Sequence, residues 1–380
     1  MRISPPAPLQ PVLRRTWAAV GVLGGIASVL IGIYSDQART GLEWLWGHTA
    51  LFVLVLVVVG TLATIAWQVG ASTERKRSFR PPITAKSLDI RAADFDDDLP
   101  VDQAVYGREL HFLEREVKSD TVVVLLHGLG LDANDFRPYM YVAGVHTIAI
   151  TLFGFNTTEA HDTRYRPIGL TTHAELVNGA LNNIRRQYEN KKLLLVGFST
   201  GADMILRLGE LWKADPTRRP RLAGLLLLDP NINHSSMVVS GGFATTDPSH
   251  PLAEFKRITQ IPSNLEEFEN ITEYLHKICK KDAAHIQQHA KDWWDYWEPD
   301  GQYGKFFTRV EILRGACART RLIFSVHYEE HFNELVALAR QRNLHALFDL
   351  LKVDHFDLID EDFLNREVAA FDNPDGTSFR

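Results

Sequence analysis

Residues 197–201 read Gly197-Phe198-Ser199-Thr200-Gly201, a G-x-S-x-G pentapeptide. Three fixed positions are a weak signal, because chance alone yields them in roughly one chain in ten of this length. The flanks sharpen it. KLLLV leads directly in and ADMILRLGELW leads out, an apolar strand pattern followed by a helix pattern. A serine set on a tight strand–turn–helix crossing is exposed to solvent, and its neighbours must be small, which the glycines supply. The chemistry on offer is nucleophilic attack through a hydroxyl. That chemistry needs a base and a cradle for negative charge. The cradle candidate is Leu126-His127-Gly128-Leu129-Gly130, directly after the strand pattern TVVVL. The backbone N–H groups of Leu129 and Thr200 are the expected oxyanion donors, with Gly128, Gly197 and Gly201 making room. The base candidate is His355, in Val353-Asp354-His355-Phe356-Asp357. A loop histidine after the last strand is what a Ser…acid…His chain order requires.

Elements able to hold these groups are visible as periodicity. TVVVLLHG, VHTIAITLFG, KLLLVGFS, LAGLLLLDP and RLIFSVHY are short, continuously apolar runs, the signature of strands buried on both faces. Helical patterns lie at Thr172–Tyr188 and Ala202–Trp212, and strand–helix alternation indicates a mostly parallel sheet covered by helices. AVYGREL and HFLEREV read as a hairpin, and RPPITAK as linker. Between LLLLDP and RLIFSVHY lies a helical, aromatic-rich segment containing KDWWDYWEPDGQYGKFF. It is expected to be a cap insertion spanning about 231–318. Trp293, Trp294, Tyr296 and Trp297 read most simply as cap core; lining an acyl pocket is the sharper alternative.

The amino-terminal end lives in a different solvent. Residues 16–34 and 49–69 contain no charged residue, and each is close to the ~20 residues a helix needs to cross a bilayer. The sequence therefore divides into a two-span membrane anchor at 1–77 and a globular domain at 78–380 that carries the Ser199 and His355 motifs. The first run exceeds a signal-peptide core and has no clean cleavage site after it. Arg14 and Arg15 precede the spans, and Arg75, Lys76, Arg77 and Arg80 follow them. The short loop between has only Arg39 as a basic residue. The positive-inside bias puts both ends in the cytoplasm; in a bacterium the membrane is then the inner or plasma membrane. Net charge is −6 with mixed signs, which excludes a nucleic-acid footprint. Spans without intramembrane charge offer no transport path. Cys279 and Cys317 have no metal-ligand spacing.

From about Val105 to the C-terminus the chain resembles the α/β-hydrolase superfamily. The motifs that carry the resemblance are LLHGLG, VGFSTGA and DHFD, with TLFGF and the cap position in support. The resemblance is nearest to lipase, esterase and monoacylglycerol-lipase-like members. It implies the α/β-hydrolase fold and hydrolysis of carboxylic acyl esters through an acyl-enzyme, with no cofactor or metal. A serine nucleophile excludes dehalogenase chemistry, which uses Asp in this fold. The tether suggests a lipid or lysolipid substrate; the alternative is a catalytically silent scaffold at the membrane. Members often place the acid in Gly-x-x-Asp after the penultimate strand. Here that strand runs into His327-Tyr328-Glu329-Glu330, so Glu330 is the first expectation, then Glu329. Asp229, at the end of LLLLDP, is a third candidate.

Overall fold

The computed structural model describes residues 81–372, apart from 92–94, 96–99, 101, 160–161, 163, 247–255, 261 and 263–264. Both apolar runs expected to span a membrane lie outside the described residues. Among those described, no helix is long and apolar enough to cross a membrane.

Eight strands form one sheet in the order β1-β2-β4-β3-β5-β6-β7-β8. They are β1 (Thr84–Asp89), β2 (Glu109–Arg115), β3 (Thr121–Leu126), β4 (His146–Ile150), β5 (Lys192–Phe198), β6 (Gly224–Leu228), β7 (Thr320–Phe324) and β8 (Phe348–Leu350). Strands β3 to β8 run parallel; β2 is antiparallel to β1 and β4. In β3, β4 and β6 every residue is buried, as unbroken Val/Leu/Ile runs require when both sheet faces are covered. Two readings of the N-terminal part change. Thr84–Asp89, whose first three residues were expected in the linker, adds a strand against β2. The expected hairpin is one strand, because Gln103–Val105 closes into a 3-10 turn capped by Asp102.

The helices are α1 (Arg137–Val142), α2 (Leu170–Gln187), α3 (Thr200–Ala214), α4 (Ser240–Thr245), α5 (Leu265–Ile278), α6 (Ala283–Tyr296), α7 (Gly304–Ala316), α8 (Glu329–Gln341) and α9 (Glu361–Asp372). Helix α3 packs on β3, β5 and β6 and is flanked by α2 and α7. The insertion is shorter than expected, because α7 belongs to the hydrolase core. Leu313 lies against Gly209 of α3, and Arg309 Nε donates to Glu210 Oε1 at 2.8 Å. The cap proper is α4 to α6. Trp293 is buried on α6, while Trp297 packs on Phe306 of α7 and donates to Asp203 of α3 at 3.3 Å, and Tyr296 lies under Arg309 of α7. None of the four aromatics lines the cavity beside Ser199; Tyr296 and Trp297 seat the cap on the core instead.

Packing under the serine turn is close. A Cβ on Gly201 would stand 2.3 Å from the Leu126 carbonyl oxygen, and one on Gly197 2.4 Å from that of Gly201. Backbone cannot give way as a side-chain tip can. Gly201→Ala is therefore expected to cost about 1–3 kcal/mol, read as a lower denaturant midpoint at unchanged slope.

Candidate active site

Ser199, Asp229 and His355 each follow the carboxyl end of a parallel strand. Ser199 follows β5 and takes φ 53°, ψ −124°, a conformation that non-glycine residues hold only when their surroundings impose it. Its N–H donates to Leu228 O at 2.8 Å, tying the turn to β6. Thr200 opens α3, so its N–H is among those a helix leaves without an internal partner.

The Gly128–Leu131 segment is a four-residue turn closed by Leu131 N–H on Gly128 O at 3.2 Å. Its third residue, Gly130, has φ +71°, which defines a type II turn and favours glycine there. A Cβ on Gly128 would meet Ser199 Cβ at 3.1 Å, so this turn lies directly against the serine. Beneath it, fully buried His127 accepts from Leu152 N–H through Nε2 at 2.9 Å. Its Nδ1 must then carry the hydrogen, donated to Gly128 O at 2.8 Å. Desolvation lowers the His127 pKa, which keeps this neutral tautomer. The Gly128 carbonyl shares its peptide with the Leu129 N–H. The hydrogen bond thus orients and polarises the expected oxyanion donor.

His355 follows β8. Its Nδ1 lies 2.7 Å from Asp229 Oδ2. Asp229 is buried at the end of β6 with φ 47°. It also accepts from Ser325 N–H at 2.6 Å and from Ser325 Oγ–H at 2.5 Å, so that both of its oxygens are bonded. A buried carboxylate so satisfied is held as an acceptor aimed at the imidazole. The preferred sequence expectation for the His355 partner therefore moves. Glu330 and Glu329 are exposed in the first turn of α8, while Nδ1, which carries one hydrogen at most, is taken by Asp229. The end of β7 delivers Ser325, which holds the carboxylate. Tyr328 braces the same loop, donating to Pro230 O at 2.9 Å.

Next to this pair lies a second one. His327 Nε2 is 2.7 Å from Asp354 Oδ1, and this hydrogen bond raises the His327 pKa. Asp354 Oδ1 also accepts the His355 N–H at 2.6 Å, which steadies the backbone of the base. In the first turn of α3, buried Asp203 accepts from Asn231 N–H at 2.8 Å and Asn231 Nδ2 at 2.5 Å. Burial pushes its pKa up to about 7.

A cavity of about 180 Å³ opens beside Ser199, Asp229 and His355. Leu129, Leu131, Val239, Ile271 and Phe356 give it apolar walls, and Ser236, Asn270 and His327 give it polar points. Among the described residues no group of three or more His, Cys, Asp or Glu could hold a metal ion. Sequence reasoning missed Ser325 and the cap residue Tyr274. Ser325 was legible only as the residue after RLIF, one step beyond the position level with Asp229. Nothing local marks Tyr274.

This sheet order and elbow define the α/β-hydrolase fold. The alpha/beta hydrolase family model matches residues 123–369, and the chain belongs to that family. No curated protein matches the chain. Among solved structures, 1H-3-hydroxy-4-oxoquinoline 2,4-dioxygenase is similar at 12% identity and TM-score 0.52, covering 75% of this chain and 99% of that one. A variant of AqdC, which cleaves the ring of the Pseudomonas quinolone signal, is similar at 15% identity and TM-score 0.51, covering 77% and 100%. A membrane phospholipase A, described as a bacterial virulence factor, gives 14% identity and TM-score 0.48, covering 88% and 99%. At such identities the likeness is one of fold alone.

Proposed function

We propose that the protein is a membrane-anchored serine hydrolase that cleaves carboxylic acyl esters. The observation that carries this reading is the 2.7 Å contact from Asp229 to His355 Nδ1, with Ser199 and His355 on the wall of one apolar cavity. In this reading Asp229 keeps the Nδ1 hydrogen in place and leaves Nε2 free as a base. Nε2 takes the Ser199 hydroxyl proton as Oγ attacks the ester carbonyl. The tetrahedral oxyanion is held by the N–H groups of Leu129 and Thr200. His355 returns the proton to the leaving alkoxide, which departs as an alcohol. Water, activated by the same imidazole, then releases the acid and restores Ser199. No cofactor or metal enters these steps.

The membrane part rests on the charge-free runs at 16–34 and 49–69, which as spans would concentrate the enzyme at a lipid surface. With the basic flanks inside, the hydrolase domain is cytoplasmic. An acyl chain fits the apolar walls, so the proposed substrates are esters of membrane lipids or lysolipids.

The test is fluorophosphonate labelling of the detergent-solubilised full chain beside Ser199→Ala, followed by p-nitrophenyl esters graded by chain length. Labelling and turnover present in the wild type and lost in the variant are expected. A folded wild type that neither labels nor turns over any ester would establish the silent scaffold instead.

A further inference from the structure

Helix α5 of the cap reaches down to the turn that carries the expected oxyanion donor. Its inward face presents half-buried Ile271 and buried Tyr274, Leu275 and Ile278, at the helical spacing i, i+3, i+4, i+7. Tyr274 is buried and its hydroxyl donates to the Leu129 carbonyl at 2.9 Å. One turn on, Ile278 fills the space over Gly130, where an added Cβ would meet it at 2.4 Å. Two ion pairs fasten the same stretch to the chain just beyond the turn. Lys277 bridges to Asp135 at 2.8 Å, and buried Lys281 pairs with Asp132. On its other side the Tyr274 ring packs on Phe356 at 5.3 Å between centroids, and Phe356 packs on His355 at 5.2 Å.

We infer that Tyr274 is a positioning residue of the hydrolytic site, setting the Leu129 N–H from above. This rests on the proposed serine-hydrolase reading. Leu129 is pinned at two successive carbonyls: Gly128 O by His127 from within the sheet domain, and its own by Tyr274 from the cap. The central peptide of a type II turn is its least constrained part, because a flip of that peptide interconverts turn types with little movement of the ends. Gly130, lacking a Cβ, sets only a small barrier to such a flip. That peptide joins the Leu129 carbonyl to the Gly130 N–H. A hydrogen bond to the carbonyl selects one orientation of it, which fixes ψ of Leu129 and, through that residue, steadies the preceding peptide that carries the Leu129 N–H. A single cap side chain thereby touches the donor turn and, through Phe356, the loop of the base. Cap seating and oxyanion stabilisation are one structural event.

The experiment is Tyr274→Phe in the full chain, which removes one oxygen and keeps the ring against Phe356. Outright loss of an oxyanion donor costs about 10²–10³ in rate. Loosening a donor that remains is expected to cost about tenfold in kcat, with KM within twofold, as for an interaction expressed in the transition state. Affinity for an alkyl trifluoromethyl ketone, whose hydroxyl-serine adduct is tetrahedral, should fall in parallel. Lys277→Gln, which loosens α5 without touching the turn, should show the same pattern more weakly. Unchanged kcat and ketone affinity in a folded Tyr274→Phe, or a loss confined to KM or thermal midpoint, would overturn the inference. Absence of fluorophosphonate labelling in the wild type marks failure of the hydrolase reading, a separate result.

Discussion

Asp229→Asn is expected to lower kcat on a p-nitrophenyl ester by about 10⁴-fold, while Glu330→Gln leaves it within twofold. The asparagine amide can still accept from Ser325 N–H through its oxygen. Its NH₂, turned toward His355, would meet the Nδ1 hydrogen. The imidazole escapes by moving that hydrogen to Nε2, the nitrogen that must receive the Ser199 proton. The fold survives and the base is lost. Glu330, exposed at the start of α8, has no such link to the imidazole. Steady-state kinetics on the two variants, with thermal melts to show that both are folded, decides the matter. A collapse of kcat in Glu330→Gln with Asp229→Asn active would reverse the assignment.

The second large effect concerns acid stability. His173 on α2 and His289 on α6 are buried, with ring centroids 4.8 Å apart. The Nδ1 of each has no hydrogen-bond partner. Phe155 packs against both rings. Desolvation lowers the His173 pKa to about 3, helped by the nearby His285 and His127, and pushes His289 well below its ordinary value. A histidine held neutral by the fold is protonated freely in the unfolded chain. Its contribution is therefore intact above pH ~6.5 and lost as pH falls toward the folded value. Between pH ~6.5 and ~4.5 that loss is two units, about 3 kcal/mol for His173 alone. Asp203, with its raised pKa, gains stability over the same interval. The gain from His111 and His327, whose pKa values are raised, instead falls above pH ~6.5 and is largely complete there. The measurement is accordingly a difference: denaturant midpoints of wild type and His173→Leu across this range. The gap should shift by about 3 kcal/mol in favour of the variant on acidification. A gap independent of pH would refute it.

The sequence by itself determined the parts of this protein that are locally constrained. A strand that crosses into a helix at Ser199 leaves no room beside it. The backbone oxygens of Leu126 and Gly201 stand where a Cβ would be, so the glycines had to appear in the pentapeptide. The turn after β3 needs a residue at positive φ, so Gly130 marked it. Unbroken apolar strands announced a covered parallel sheet. The partner of His355 carries no comparable local mark. Asp229 is 126 residues away, and carboxylates stood near the ends of two neighbouring strands, β6 and β7. Either could serve in principle; the choice depends on which strand end lies under the imidazole and which loop supplies the donors that hold a buried carboxylate. Only the tertiary structure decides this, by spending the end of β7 on Ser325. Tyr274 was silent for the same reason. Its periodicity marks a buried helix face, but what that face covers is set by how the cap closes, a long-range packing outcome with no signature in the helix itself.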